Sequence, residues 1–403
     1  MTQTPLNQID ILDRKGYFSY PVRRYFKNRE FENIDGKRCI DFCSTSYLHF
    51  DFEDELIEAG NDCVRQWGLT TQWSRLEADA QIHPRLEEKI ANFIGADRCF
   101  LGHTITSTNY SHIYGIVKKG MIFSDHIVHT VVWEGMRLAR DHGATITRFR
   151  HQDMDHLEDM LKKYEHINPK LICVDGIYSV STELAPLRRM NELAEKYNAW
   201  IYVDDAHGFG VTGKNPTKEN PYGVGGSGLV NYFGESFERT FYVANFNKAF
   251  SCNGAFSTIP KAFTDNLNAF SIQHIFSAPV SPFIIGAVDK ALDLNQRVGE
   301  TRRAKIRSLV QRLCQGLDAL NYRYTNHIQH PVVFIEAGAF DKLLKLGDQL
   351  FEAGILVGFR ASPLVDSEHT GIRVAITAGN SESHIDALLN LLESTKVRHD
   401  LTN

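Results

Sequence analysis

The sequence has no apolar stretch approaching the length of a membrane-spanning helix, so no membrane span is expected. Its opening segment, MTQTPLNQIDILDRKGYF, lacks the basic start and apolar centre of a secretory signal. There is no basic excess either. Lys and Arg number 44 against 49 Asp and Glu, a net charge of -5, which offers a nucleic-acid partner no footprint. The seven cysteines, Cys39, Cys43, Cys63, Cys99, Cys173, Cys252 and Cys314, are scattered without CxxC spacing. They read as mostly buried free thiols in a reducing cytosol, and no metal-ligand set is expected. No repeat, low-complexity tract or long linker interrupts the chain. What is present is ordinary globular usage, 43% hydrophobic over 403 residues. That supports a large core and suits a two-domain, soluble, cytoplasmic enzyme subunit.

Strand and helix signals alternate through the middle of the chain. In PRLEEKIANFIGADRCFLG, Leu86, Ile90, Phe93 and Ile94 fall on one helix face, Gly95 stops the helix, and a short apolar strand follows. DHLEDMLKKYEHINPKLICVDG repeats the pattern with strand LICV, and LRRMNELAEKYNAWIYVDDAHG repeats it again with strand AWIYV. Fully apolar strands separated by amphipathic helices predict a mainly parallel sheet covered on both faces. Beyond about residue 280 the texture changes to a long helical stretch, short strands near HPVVFIEA, ILVGFR and GIRVAI, and a final helix in ESHIDALLNLLEST. The expected organisation is a large α/β domain over 51–285 and a smaller α+β domain over 286–403. Residues 1–50 are expected to pack beside the small domain.

Ligands of parallel α/β sheets sit at the carboxyl ends of strands. After LICV comes Asp175-Gly-Ile-Tyr-Ser179, after WIYV come Asp204, Asp205, Ala206 and His207, and after FYVANF comes Lys248. A lysine closing an apolar run is costly unless it is paired or neutralised, and a neutral, held amine is what covalent amine chemistry needs. Acid, imidazole and amine at one sheet edge suit pyridoxal phosphate. That cofactor takes a lysine, an anion beside its pyridine nitrogen and donors for its phosphate.

VDDAHGFGVTG, followed 44 positions after Asp204 by the lysine of NKAF, resembles the α-oxoamine synthases. These are fold-type I pyridoxal-phosphate enzymes that include 8-amino-7-oxononanoate synthase, 5-aminolevulinate synthase, serine palmitoyltransferase and makers of small aminoketone signals. The resemblance runs from IDFCSTSYL at residue 40 to ITAGNSESHIDALL at 389. It implies that Lys248 carries the cofactor, Asp204 faces the pyridine nitrogen, and His207 lies near the ring hydroxyl. His129, in SDHIVHTVVWEG, resembles the histidine stacked over the ring, and Ser179 the serine of the family's G-x-[FY]-S block. Arg373, in GIRVAIT, matches the arginine for the amino-acid carboxylate, a task suited to a bidentate guanidinium. Ser277 resembles a residue that reaches a neighbouring subunit's phosphate, which implies active sites between subunits and at least a homodimer.

The chain departs from that family in several places. Asn245 and Asn247 stand where Thr and a small residue are usual, and Asn245 is expected to donate to the phosphate instead. A glycine-aromatic pair at the phosphate is replaced by Ile105 and Thr106. N-D-Y-L-G reads Thr45-Ser-Tyr-Leu-His49, with Thr45 near the substrate. The glycine-rich segment before H-x-x-L-E is replaced by TTQWSRLEADAQ, only His83, Leu86 and Glu87 being retained, where substrate and acyl chain are expected. The activity expected is condensation of an amino acid with an acyl-CoA and loss of carbon dioxide, giving an α-aminoketone, as in the family's makers of small signals. The alternatives are another fold-type I reaction, transamination or an aldol-type cleavage, and a non-catalytic paralogous subunit.

Overall fold

The computed structural model describes residues 7–263, 272–362, 365 and 367–395. The chain folds as two compact units, one of residues 50–179 and 183–300, the other of residues up to 49, 180–182 and from 301 on. The helix Pro282–Ala319 begins in the first and ends in the second.

The first unit is built on a seven-stranded sheet. In spatial order its strands are Cys99–Gly102, Ala255–Thr258, Thr240–Asn245, Ala199–Asp204, Lys170–Asp175, Met121–Asp125 and Thr145–Phe149. The last five pair in parallel, while Ala255–Thr258 runs antiparallel to both its neighbours. The three central parallel strands are buried at every position except Trp200, which is why they read as apolar runs. Each expected helix is present: Ile82–Ile94, Met154–Lys163 and Leu187–Lys196. Gly95 closes the first in the left-handed conformation, φ 77°, that a side chain resists.

Helices Ile105–Val117 and Thr130–Asp141 cover one face of this sheet through Ile113, Ile116, Val132 and Met136, packed on Ile122, Leu171 and Tyr202. Burying each such side chain contributes about 1.5–3 kcal/mol. The two helices meet backbone to backbone at Gly135. A β-carbon there would lie 2.8 Å from the Asn109 carbonyl oxygen, so the glycine sets how closely the helix bearing Asn109 is held.

In the second unit an antiparallel sheet orders Tyr324–Thr325, Val332–Gly338, Thr370–Ala375 and Gly358–Arg360. A second sheet joins Val22–Tyr25, Glu30–Asn33, Arg38–Asp41 and Ile355–Leu356. Here His49 takes φ 58° while buried, at the place where the resemblance had a glycine. The left-handed conformation costs a non-glycine residue about 1–2 kcal/mol, so His49 is held there against local strain. All seven cysteines are free thiols, four of them buried. Among the described residues no helix is long and apolar enough to cross a membrane.

Candidate active site

The parallel strands end at one edge of the sheet, and residues just beyond them line one pocket. Asp175, Ile177 and Ser179 come from one strand end, and Asp204, Ala206 and His207 from the next. Lys248 follows the third, while Ile105, His129 and Val131 come from two helix starts.

Asp175 and Asp204 are register partners on adjacent strands, so two buried carboxylates lie side by side. They are held differently. Asp204 accepts the Asn109 carboxamide N–H at 2.8 Å and the Ala206 backbone N–H at 3.2 Å, and Tyr202 in turn donates its hydroxyl to Asn109 at 2.7 Å. Both oxygens of Asp175 accept the backbone N–H of His129, at 3.0 and 3.1 Å. Burial, and then the charge of Asp204, drive Asp175 well above the usual carboxylate range.

Replacing Asn109 by alanine strips a buried phenol and a buried carboxylate of a partner at once. Such groups cost about 1–3 kcal/mol each when left unmade. The expected result is a destabilisation of about 2–3 kcal/mol in a denaturant titration of the cofactor-free protein. An Asn109→Ala variant as stable as the parent would show that Asp204 is positioned by something else.

His129 is the N-cap of Thr130–Asp141, its Nδ1 accepting the Val131 N–H at 3.3 Å, and its side chain is exposed. Thr104 caps Ile105–Val117 with a reciprocal Ser107 box. Ile105 and Thr106 are therefore the first two helical residues, and their N–H groups meet no acceptor among the described residues. The helical φ at Ile105 is one that a side chain adopts freely. A helix start with free N–H groups suits a phosphate.

Lys248 was expected buried at a strand end. It stands three residues past the strand Thr240–Asn245, in a turn closed by the Ser251 N–H on its carbonyl at 3.1 Å, and is half-buried. Asp205, the second acid of VDDAH, serves the scaffold. Burial pushes it up to about 7, and it accepts the Leu229 N–H and the Tyr242 hydroxyl, both at 2.8 Å. A β-carbon on Gly208 would sit 2.1 Å from its carboxylate, so the glycine after His207 lets the loop close over this acid.

Other expected site residues are not in this pocket. Asn245 is buried opposite Ala255, its carboxamide oxygen without a partner among the described residues. Thr106 follows Ile105 but does not line the pocket. Ser277 lines a separate small cavity with Arg75, His83 and Gln273. Gln273 itself bonds the Ser107 and Thr108 hydroxyls at the capped helix start. His83 and Glu87, retained where substrate was expected, are structural pins. His83 is wholly buried between the Ala80 and Val280 carbonyls, and Glu87 holds Arg75 and the Leu101 N–H.

Thr45 and Arg373 belong to the second unit. Arg373 is buried on Thr370–Ala375 beside Arg360, whose guanidinium is pushed down to about 10 by burial and then by Arg373. The sequence reading missed Arg360. It passed through Asp175 without giving it a role, although an acid at a strand end was signal enough. Asn109, in mid-helix, gave no signal beyond a polar residue on an apolar face.

This architecture, a mainly parallel sheet whose strand ends present a lysine and paired acids, is that of the fold-type I pyridoxal-phosphate transferases. The chain belongs to the aminotransferase class I and II family, which matches residues 37–392. The 8-amino-7-oxononanoate synthase of Chromobacterium violaceum is 32% identical over 363 residues, 89% of this chain and 90% of that protein. The solved structure of serine palmitoyltransferase with its pyridoxal-phosphate internal aldimine shares the fold at a TM-score of 0.85 and 22% identity. It covers 96% of this chain and 95% of that one. The 8-amino-7-oxononanoate synthase of Francisella tularensis does so at 0.73 and 22%, covering 90% and 97%. The resemblance to α-oxoamine synthases drawn from the sequence motifs is matched by these relatives.

Proposed function

We propose that the protein is a pyridoxal-phosphate-dependent α-oxoamine synthase, an acyltransferase joining an amino acid to an acyl-CoA with loss of carbon dioxide. The observation that carries this reading is the single pocket holding Lys248, Asp204, His207, Ser179 and His129 beside a capped helix start. Those residues fit the group: an amine for its aldehyde, a fixed carboxylate for its ring nitrogen, and free N–H groups for its phosphate.

Bound there, pyridoxal phosphate supplies an aldehyde and an electron-accepting ring. Asp204 holds a proton on the ring nitrogen through its charge, and Asn109 keeps its carboxylate in place. Lys248 removes the proton from the amino-acid α-carbon and later returns one to it. His129, fixed by Asp175, faces the reacting carbons and donates to the acyl carbonyl as charge develops. Arg373 is assigned to the amino-acid carboxylate and Thr45 to the substrate on the resemblance of their motifs. The α-carbon bonds to the acyl carbon, the thiol of CoA leaves, and the carboxylate departs as carbon dioxide. Ser179, His207, Ile105, Thr106 and Asn245 are assigned to holding the cofactor.

A homodimer, with Ser277 reaching the partner's site, is supported by exposed apolar residues near that serine. Leu69 is 81% and Phe276 80% exposed, with Trp73, Leu76 and Ile272 beside them in sequence. Ser74 donates to the Ile275 carbonyl at 2.8 Å and so joins the two segments. Free thiols support a reducing, cytoplasmic location.

A grid of amino acids against acyl-CoA lengths, scored by free thiol and product mass, tests the reading. Amino-acid-dependent thiol release with a matching aminoketone is expected. Transfer of an amino group to an oxoacid without thiol release would assign an aminotransferase instead, and no turnover anywhere would favour a non-catalytic subunit.

A further inference from the structure

Behind the pocket, on the same sheet edge, sits a group of side chains that the proposed chemistry does not use. His151 lies in the loop after Thr145–Phe149. Its Nδ1 is 2.9 and 3.1 Å from the two Asp125 carboxylate oxygens, and its Nε2 is 3.0 Å from the Glu183 carboxylate. Only a doubly protonated imidazole donates to both at once. The ring is half-buried and meets Tyr178 edge-on at 4.6 Å.

Each contact leads to a residue that lines the pocket. Asp125 is fully buried and accepts the N–H groups of Ile127 at 3.0 Å and Gln152 at 3.1 Å. Through Ile127 it sets the start of the loop that ends at His129. Glu183 lies in the turn that follows Lys170–Asp175. There Tyr178 N–H bonds the Glu183 carbonyl at 3.0 Å, and Ile177 bridges Leu184, so the turn presents Ser179 and Ile177 to the pocket. Gln152 donates its side-chain N–H to the Leu184 carbonyl at 3.2 Å and closes the arrangement. One imidazole thus ties the loop bearing His129 to the turn bearing Ser179.

We propose that His151, as an imidazolium bridging Asp125 and Glu183, is a positioning residue that fixes these two segments around the cofactor pocket. The other charged groups on its own loop are otherwise engaged: Arg150 pairs with Asp153 at 2.8 Å, and His156 accepts the Arg150 N–H. Those facing it are Asp125 from one strand end, with Glu183 and the phenol of Tyr178 from the turn. Burial opposes the charged ring, but Asp125 and then Glu183 outweigh it and hold His151 above the ordinary histidine value. The sign follows. The bridge is intact at lower pH and is lost as pH rises through that raised value.

The test compares His151→Phe, His151→Arg and Glu183→Gln with the parent in two measurements. The first is hydrogen exchange of the segments 126–129 and 176–185 in the cofactor-free protein, corrected for intrinsic rates. Parent protection is expected to fall at least tenfold across the alkaline transition. His151→Phe should be unprotected at every pH, and His151→Arg, which keeps its charge, should stay protected. Glu183→Gln should move the midpoint down. The second is the pH profile of thiol release, in which kcat falls at least tenfold in His151→Phe and recovers to within about threefold in His151→Arg. Should His151→Phe fail to fold, Glu183→Gln decides. An unmoved midpoint there, or protection in the parent that does not change with pH, overturns the proposal. The exchange arm does not rest on the proposed reaction, so absence of thiol release in the parent counts against the function and leaves the positioning role to be judged by exchange.

Discussion

Replacing Lys248 with alanine is expected to lower thiol release by roughly three to four orders of magnitude and leave the fold intact. The size follows from the role. A side chain that both carries the cofactor and moves the α-proton removes its whole contribution when truncated, and positioned proton transfer alone is worth about 10²–10⁴. The fold should tolerate the change. Lys248 is half-buried in a turn whose closing bond runs between backbone atoms, so removing its side chain leaves that turn closed.

Lys248→Arg separates charge from reactivity. Arginine keeps the cation, but its guanidinium stays protonated and is no nucleophile, so this variant should be as inactive as alanine. Hydride reduction of the cofactor-loaded parent, followed by peptide mass mapping, should place the pyridoxyl adduct on Lys248 and leave both variants unlabelled. Activity within tenfold of the parent in either variant, or an adduct on another lysine, would undo the assignment.

Much of the fold was legible because burial writes itself into sequence. Lys170–Asp175, Ala199–Asp204 and Thr240–Asn245 are buried on both faces, and their apolar runs leave little room for another reading. The site was legible where chemistry falls at strand ends. Asp204, His207 and Lys248 could be collected by position alone, since parallel strands all deliver their carboxyl ends to one edge.

What escaped depends on tertiary neighbours. Nothing near Asn109 in the chain says that residue 204 will be 2.8 Å away. Nothing in the motif that retains His83 and Glu87 says that two carbonyls, an arginine and a strand N–H engage them. Where a glycine-aromatic pair was expected, Ile105 begins a helix, whose φ a side chain adopts freely. At His49 the same reasoning applies in reverse, since that residue does adopt φ 58°. The degree of exposure at Lys248 was misjudged because the strand ends three residues before it.

The sharpest remaining discrimination is between the two carboxylates that stand in register. Asp204→Asn is expected to lower kcat by about 10²–10³, the range for losing one preorganised electrostatic contact to developing charge. Asp175→Asn is expected to change it by less than tenfold. The asymmetry follows from like charges at one sheet edge: two adjacent buried carboxylates do not both ionise readily. Burial and the charge of Asp204 already hold Asp175 well above the usual range, which favours its neutral form. Asparagine is a fair copy of a neutral carboxylic acid and can still accept the His129 N–H. At position 204 the same substitution deletes the charge that keeps the ring nitrogen protonated, and it turns an amide toward the Asn109 carboxamide donor. Both variants should still yield the pyridoxyl adduct on Lys248, so the comparison reads electronics and not cofactor loss. A profile in which Asp175→Asn is crippled and Asp204→Asn keeps at least a third of the parent rate would exchange the two roles. The ring nitrogen would then face the strand Lys170–Asp175 and not Ala199–Asp204.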